Sequence, residues 1–187
     1  MVKPWKALKR SIHIHSPFKQ IEDVLFELPD GRQATFSLSY IGKVVAVLAL
    51  TKDRQVVLAR QFRPGPNRVL DELPGGHVDD GEEPESAVAR ELLEETGYVP
   101  GKLIPLGRFF EGAYSTIDRY GFLALDCEPG SGQSLDHNEF IEVVLKPLPE
   151  FFTQLRKGEA TDCEVGWAAL LEAGYLSVRD CLKLSKT

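Results

Sequence analysis

Residues 76–98 read GHVDDGEEPESAVARELLEETGY. Proline is favoured in the first turn of a helix and glycine just past its end, so Pro84 and Gly97 bracket a helix from about Pro84 to Thr96. At about 100° per residue, Glu91, Glu94 and Glu95 share one face with Arg90 at its edge. Ala89, Leu92, Leu93 and Thr96 fall opposite, where they would pack on a sheet. Carboxylates opposite an apolar stripe usually do no more than meet solvent, and Glu82, Glu83 and Glu85 near the helix start answer to the macrodipole. Two features ask for more. Glu91 and Glu95 form a like-charged i, i+4 pair with no lysine on that face, which costs a few tenths of a kcal/mol. Pro74-Gly75-Gly76 and Asp79-Asp80-Gly81 lead into the helix, and glycine lets the backbone approach a ligand closely. Hard divalent cations take carboxylate, carbonyl and water oxygens. The acidic face is a candidate cation site.

Outward from this helix the chain reads as strands first and helices last. Residues 21–28 and 33–40 flank Pro29-Asp30-Gly31-Arg32, a strong turn signal, and predict a hairpin. KVVAVLAL (43–50) and QVVLARQF (55–62) form a second pair, the first apolar enough to be buried on both faces. Strand-like runs follow near 103–110 and 119–126, and FIEVVLKPL resembles a last strand. Helical patterns close the chain at 149–157 and 163–173. Nothing repeats at a fixed period. A mixed α/β or α+β domain follows.

The 187 residues suffice for one substantial core, and 43% hydrophobic with 27% charged residues is ordinary globular composition. A net charge of −6, from 22 Lys and Arg against 28 Asp and Glu, argues against nucleic acid as a partner. A polyanionic substrate would need local cations. Cys127, Cys163 and Cys181 have no metal-ligand spacing and suit reduced thiols in the cytoplasm. No apolar run is long enough to span a bilayer, so the expectation is a soluble cytoplasmic protein without membrane partners.

The stretch resembles the signature of the Nudix hydrolases through Gly76, Glu82, Arg90, Glu91, Leu92, Glu94, Glu95 and Gly97, with Tyr98 where an aliphatic is usual. Seven fixed identities at this spacing arise by chance about once in 10⁸–10⁹ starts. The resemblance implies an α/β/α sandwich with a mixed β-sheet, here preceded by an N-terminal antiparallel β arm (1–42) on a Nudix domain (43–187). It implies Glu91, Glu95 and the Gly75 carbonyl as Mg²⁺ ligands (Mn²⁺ possible), with Glu94 contributing directly or through water. Arg90 and Glu82 would hold the acidic set in place. The reaction implied is metal-dependent hydrolysis of a nucleoside diphosphate linked to a further group.

RQFRPG and LDELPGGHVDDGE resemble the ADP-ribose and nucleotide-sugar pyrophosphatase branch. There Arg63 would bind the diphosphate, Glu72 would lie near the substrate, and Glu139 in HNEFIEV would be a metal ligand or the general base. His137 and Glu142 are the alternatives for that base. ADP-ribose-specific members tend to carry a proline where this chain has Ala113, which leaves other ADP-sugars and GDP-mannose-type substrates open. A catalytically dead nucleotide-binding module is the reading from a different class. Tyr114 is a candidate to stack on the base, whereas Phe110 is read as core. The arm, with Phe26, Leu28, Phe36 and Leu38, implies a homodimer in which it crosses to the partner.

Overall fold

The computed structural model describes residues 2–16, 19–40 and 42–176. Contacts divide the chain into two compact units, Met1–Lys43 with Phe110–Arg119, and Val44–Phe109 with Tyr120–Thr187.

In the first unit β1 (Lys6–Ser16), β2 (Lys19–Glu27) and β3 (Gln33–Tyr40) form an antiparallel sheet in that order. The hairpin between β2 and β3 is closed by the Gly31 amide donating to the Leu28 carbonyl at 2.9 Å, with Gly31 at φ 83°, where only glycine is unstrained. The sequence predicts two strands here and the unit has three. Trp5, Phe26 and Phe36 form an aromatic row extended by Tyr114, whose ring stacks on Phe36 with centroids 6.2 Å apart. The segment carrying Tyr114 is held by reciprocal backbone bonds of 2.9 Å between Ser39 and the Tyr114 and Thr116 positions. Phe110 is not core: it is 79% exposed. Its strand alternation presents the ring outward, which apolar composition alone does not reveal.

The second unit holds β4 (Lys43–Thr51), β5 (Gln55–Arg63), β6 (Arg68–Glu72), β7 (Gly75–His77), α1 (Pro84–Thr96) and β8 (Tyr98–Val99). Then come β9 (Lys102–Phe110), β10 (Asp118–Pro129), β11 (Glu142–Pro147), α2 (Leu148–Lys157) and α3 (Cys163–Glu172). The sheet runs β11-β5-β4-β10-β8, with β6 on β5, β7 on β4 and β9 on β10. Alternation along β4 separates two cores. Val45, Val47 and Ala49 pack with Ala87, Val88 and Leu92 of α1. Ala46, Leu48 and Leu50 pack with Phe151, Leu155, Val165, Ala169 and Leu170 of α2 and α3. Helices therefore cover both faces of the sheet, each buried Leu or Phe contributing about 1.5–3 kcal/mol.

The buried stripe of α1 is Pro84, Ala87, Val88, Leu92, Glu95 and Thr96. Ala89 and Leu93, expected against the sheet, are half-buried instead. The helix is rotated so that one carboxylate of the acidic face points inward. Among the described residues no helix is long and apolar enough to cross a membrane. Cys127 and Cys163 are free thiols, and Cys181 lies outside the described residues.

Candidate active site

Arg90 organises the acidic helix. Its Nε and Nη2 donate to the two oxygens of Glu82 at 3.1 and 3.0 Å, and Nη1 donates to Glu91 and Glu94, each at 2.9 Å. Nη2 also reaches the His77 carbonyl at 3.0 Å, so one guanidinium fastens the loop before α1 to the helix itself. These bonds, chiefly the one to Glu82, raise the Arg90 pKa, and the Arg90 bond holds the Glu82 carboxyl below its ordinary range.

Glu95 is only 4% exposed. Its Oε2 accepts the Gly75 amide at 2.9 Å, and burial, followed by the nearby charges of Glu91 and Glu139, pushes its carboxyl up to about 8. The Gly75 hydrogen bond and the charge of Arg63 oppose that rise without cancelling it. Glu91 is raised as well, first by burial, with the charges of Glu94 and Glu139 adding to it. The backbone packs tightly around these groups. A Cβ on Gly76 would stand 2.5 Å from Glu91 Oε1, and one on Gly75 would collide with the Val45 carbonyl. Gly97 ends the helix at φ 74°, its amide 2.7 Å from the Leu93 carbonyl.

Glu139 comes from the loop before β11. Its Oε2 accepts the Asp136 amide at 2.9 Å. The loop is pinned to the end of α1: the Ser134 amide donates to the Glu94 carbonyl at 2.9 Å, and Gln133 Nε2 donates to the carbonyls of Glu95 (2.7 Å) and Ile141 (3.2 Å). His137 is exposed. Glu142 stands opposite Arg60 in the β5–β11 register, with its carboxylate 3.8 Å from that guanidinium.

Arg63 donates through Nε to Glu72, a carboxylate with no solvent exposure. The register sets Glu72 opposite Ala59, so the Arg63 side chain reaches back along β5 past Gln61. The side-chain NH₂ of Gln61 is buried without a hydrogen-bond partner. The second oxygen of Glu72 accepts the Thr161 hydroxyl at 2.6 Å. Sequence reading singles out neither Gln61 nor Thr161. Both lack a motif, and Thr161 is 89 residues from its partner.

The fold thus brings Gly75, Glu82, Arg90, Glu91, Glu94 and Glu95 together, and sets Arg63 and Glu139 near enough for their charges to act on Glu95. Tyr114 belongs to the first unit. As the side chains lie, no three His, Cys, Asp or Glu among the described residues converge in ligating geometry. Arg90 occupies Glu91 and Glu94, while Glu95 turns to the Gly75 amide.

The family model for the NUDIX domain matches residues 41–165. The chain is 32% identical over 168 residues to an ADP-ribose pyrophosphatase of Bacillus subtilis (strain 168), covering 89% of this chain and 88% of that protein. It is 28% identical over 167 residues to a methanol dehydrogenase activator of Bacillus methanolicus, covering 88% and 86%. It is 47% identical over 156 residues to an ADP-ribose pyrophosphatase of Saccharomyces cerevisiae, covering 73% and 67%. Among solved structures, a crystal structure of an ADP compounds hydrolase shares the fold with a TM-score of 0.76 at 21% identity, covering 94% of this chain and 96% of that one. With a NUDIX domain over two thirds of its length, and such relatives, the chain belongs to the Nudix hydrolase family.

Proposed function

We propose that the protein hydrolyses the diphosphate bond of ADP-ribose or another nucleotide-sugar, with Mg²⁺ or Mn²⁺, giving a nucleoside monophosphate and a sugar phosphate. The observation that carries this reading is Glu95. A carboxylate buried beside two others, and titrating near 8, is in an environment suited to a cation. The donor chemistry fits a hard ion, because every candidate ligand is an oxygen: the carboxylates of Glu91, Glu94 and Glu95 and the carbonyl of Gly75. Gly76 keeps the space beside Glu91 clear. A bound divalent ion would supply charge neutralisation for the diphosphate and a more acidic water. The names of the Bacillus and yeast relatives support the substrate class.

Within this reading the chain's own groups divide the work. Arg90 spaces and orients Glu82, Glu91 and Glu94 without touching substrate. Arg63, held to Glu72 through Nε, keeps its Nη groups for the diphosphate oxygens. Glu139 has one oxygen on the Asp136 amide and keeps the other for the proton of the attacking water. Its influence on both Glu91 and Glu95 favours it over Glu142, which faces Arg60.

The first unit is the dimerisation arm of this reading. Its outer strand β1 leaves Leu8, Ile12 and Ile14 exposed, and a small sheet with an uncovered apolar strand calls for a partner surface. A twofold homodimer covers it. The reading is tested by following AMP release from ADP-ribose. Chelation of divalent metal stops release and added Mg²⁺ restores it; release that persists in excess chelator refutes the metal's role.

A further inference from the structure

Both oxygens of the buried Glu72 carboxylate are engaged, one by Arg63 Nε and one by Thr161 Oγ. Thr161 sits in the turn between α2 and α3. Its hydroxyl also stands 3.1 Å from Asp162 Oδ2, but it has a single proton, and the 2.6 Å contact to the drier carboxylate takes it. The turn is not free to drift. Gln154 Nε2 donates to the carbonyls of Asp71 and Glu159, at 2.5 and 3.0 Å, which ties the residue before Glu72 to the residue two before Thr161.

We infer that Thr161 is a positioning residue for the reaction, and that it fixes how Arg63 is presented to the substrate diphosphate. The inference rests on the reading of Arg63 as the diphosphate ligand. A carboxylate offers two oxygens matched to the arginine fork, and two parallel bonds are favoured wherever both are open. With the Thr161 hydroxyl on Oε1, Glu72 is bonded to Arg63 through Nε alone, which leaves both Nη groups for an anion. Remove the hydroxyl and Oε1 becomes a buried acceptor without a donor, which is costly. An Arg63 Nη group, on the guanidinium already bonded to Oε2 through Nε, can supply one. The fork closes onto Glu72, and Arg63 is withdrawn from the diphosphate. Thr161 thus keeps an internal anion from competing with the substrate.

Three variants of the full chain test this with ADP-ribose turnover and with calorimetric binding of ADP, which carries the same diphosphate. Thr161→Val is expected to raise KM and the ADP Kd by about tenfold, the size of one charge-assisted bond, with kcat within about twofold. Thr161→Ser is expected to restore both, since it returns the hydroxyl. In an Arg63→Ala background, Thr161→Val is expected to add nothing further. An unchanged KM and Kd in Thr161→Val, or the same penalty with Arg63 already removed, overturns the inference. If Arg63→Ala itself leaves KM and Kd unchanged, the reading of Arg63 fails, whatever Thr161 does. Should Thr161→Val fold poorly, a crystal structure of Thr161→Ala decides: two bonds from Arg63 to Glu72 support the inference, and one bond through Nε refutes it.

Discussion

Replacing Glu95 with glutamine should destroy activity while making the metal-free protein more stable. An ordinary glutamate titrates near 4.5, whereas Glu95 in the fold titrates near 8. Because the folded value is the higher one, the favourable contribution of the protonated carboxyl is complete below pH 4.5 and is lost as pH rises through 8. At ~1.4 kcal/mol per tenfold, the gap corresponds to about 5 kcal/mol against the fold at alkaline pH, about 3 at pH 7 and under about 1 at pH 5. Glutamine is nearly isosteric with the protonated acid and can still accept the Gly75 amide through its carbonyl oxygen, so E95Q escapes this burden. Urea denaturation with EDTA at pH 5, 7 and 9 is the assay. E95Q is expected to exceed wild type by about 1–3 kcal/mol at pH 7, with the margin widening at pH 9 and nearly closing at pH 5. With Mg²⁺ at 1,000 times its Kd the order at pH 7 should reverse, because such a ligand adds about 4.1 kcal/mol to the wild type alone. A margin that does not change with pH, or an E95Q protein less stable at pH 9, refutes the burial argument. Wild-type turnover by E95Q at saturating Mg²⁺ refutes its role as a ligand.

Glu139→Gln is expected to lower kcat by about 10²- to 10⁴-fold, more than His137→Ala; steady-state kinetics giving the reverse ranking would move the base to His137. Gly76→Ala places a methyl group against the Glu91 carboxylate, so calorimetry should show much weaker Mg²⁺ binding, and wild-type affinity would mean that Glu91 is not a ligand. Light scattering after size exclusion should give twice the 20.8 kDa chain mass; a stable, active monomer at micromolar concentration would remove the dimer and the arm's role in it.

Helix α1 is legible in the sequence almost to the residue, because its proline, glycine and charge pattern are all local signals. The buried strand β4 was legible for a similar reason: an unbroken apolar run can only lie between two layers. What escaped was set by partners distant in sequence. The fold class does not reveal that Glu95 turns inward, because periodicity assigns it to the acidic face, whereas its partners, the Gly75 amide on the side chain and Gln133 on the backbone carbonyl, come from distant segments. β1 was hidden by Lys6, Lys9 and Arg10 among its apolar residues, a mixture natural to an outer strand with one neighbour. Phe110 reads as core because an aromatic ring in a strand run suggests it unless the facing layer is known, yet the ring is exposed. Arg63 was read from its motif. Its buried partner Glu72 and the hydroxyl of Thr161 behind it become visible only when β6 and the α2–α3 turn meet.

The most direct test is a panel of ADP-ribose, other ADP-sugars and GDP-mannose incubated with the purified protein and Mg²⁺, with products resolved by ³¹P NMR. The expected result is cleavage within the diphosphate of at least one ADP-linked compound, giving equal amounts of nucleoside monophosphate and sugar phosphate. Binding without cleavage across the whole panel would contradict the account and leave a nucleotide-binding module in place of an enzyme.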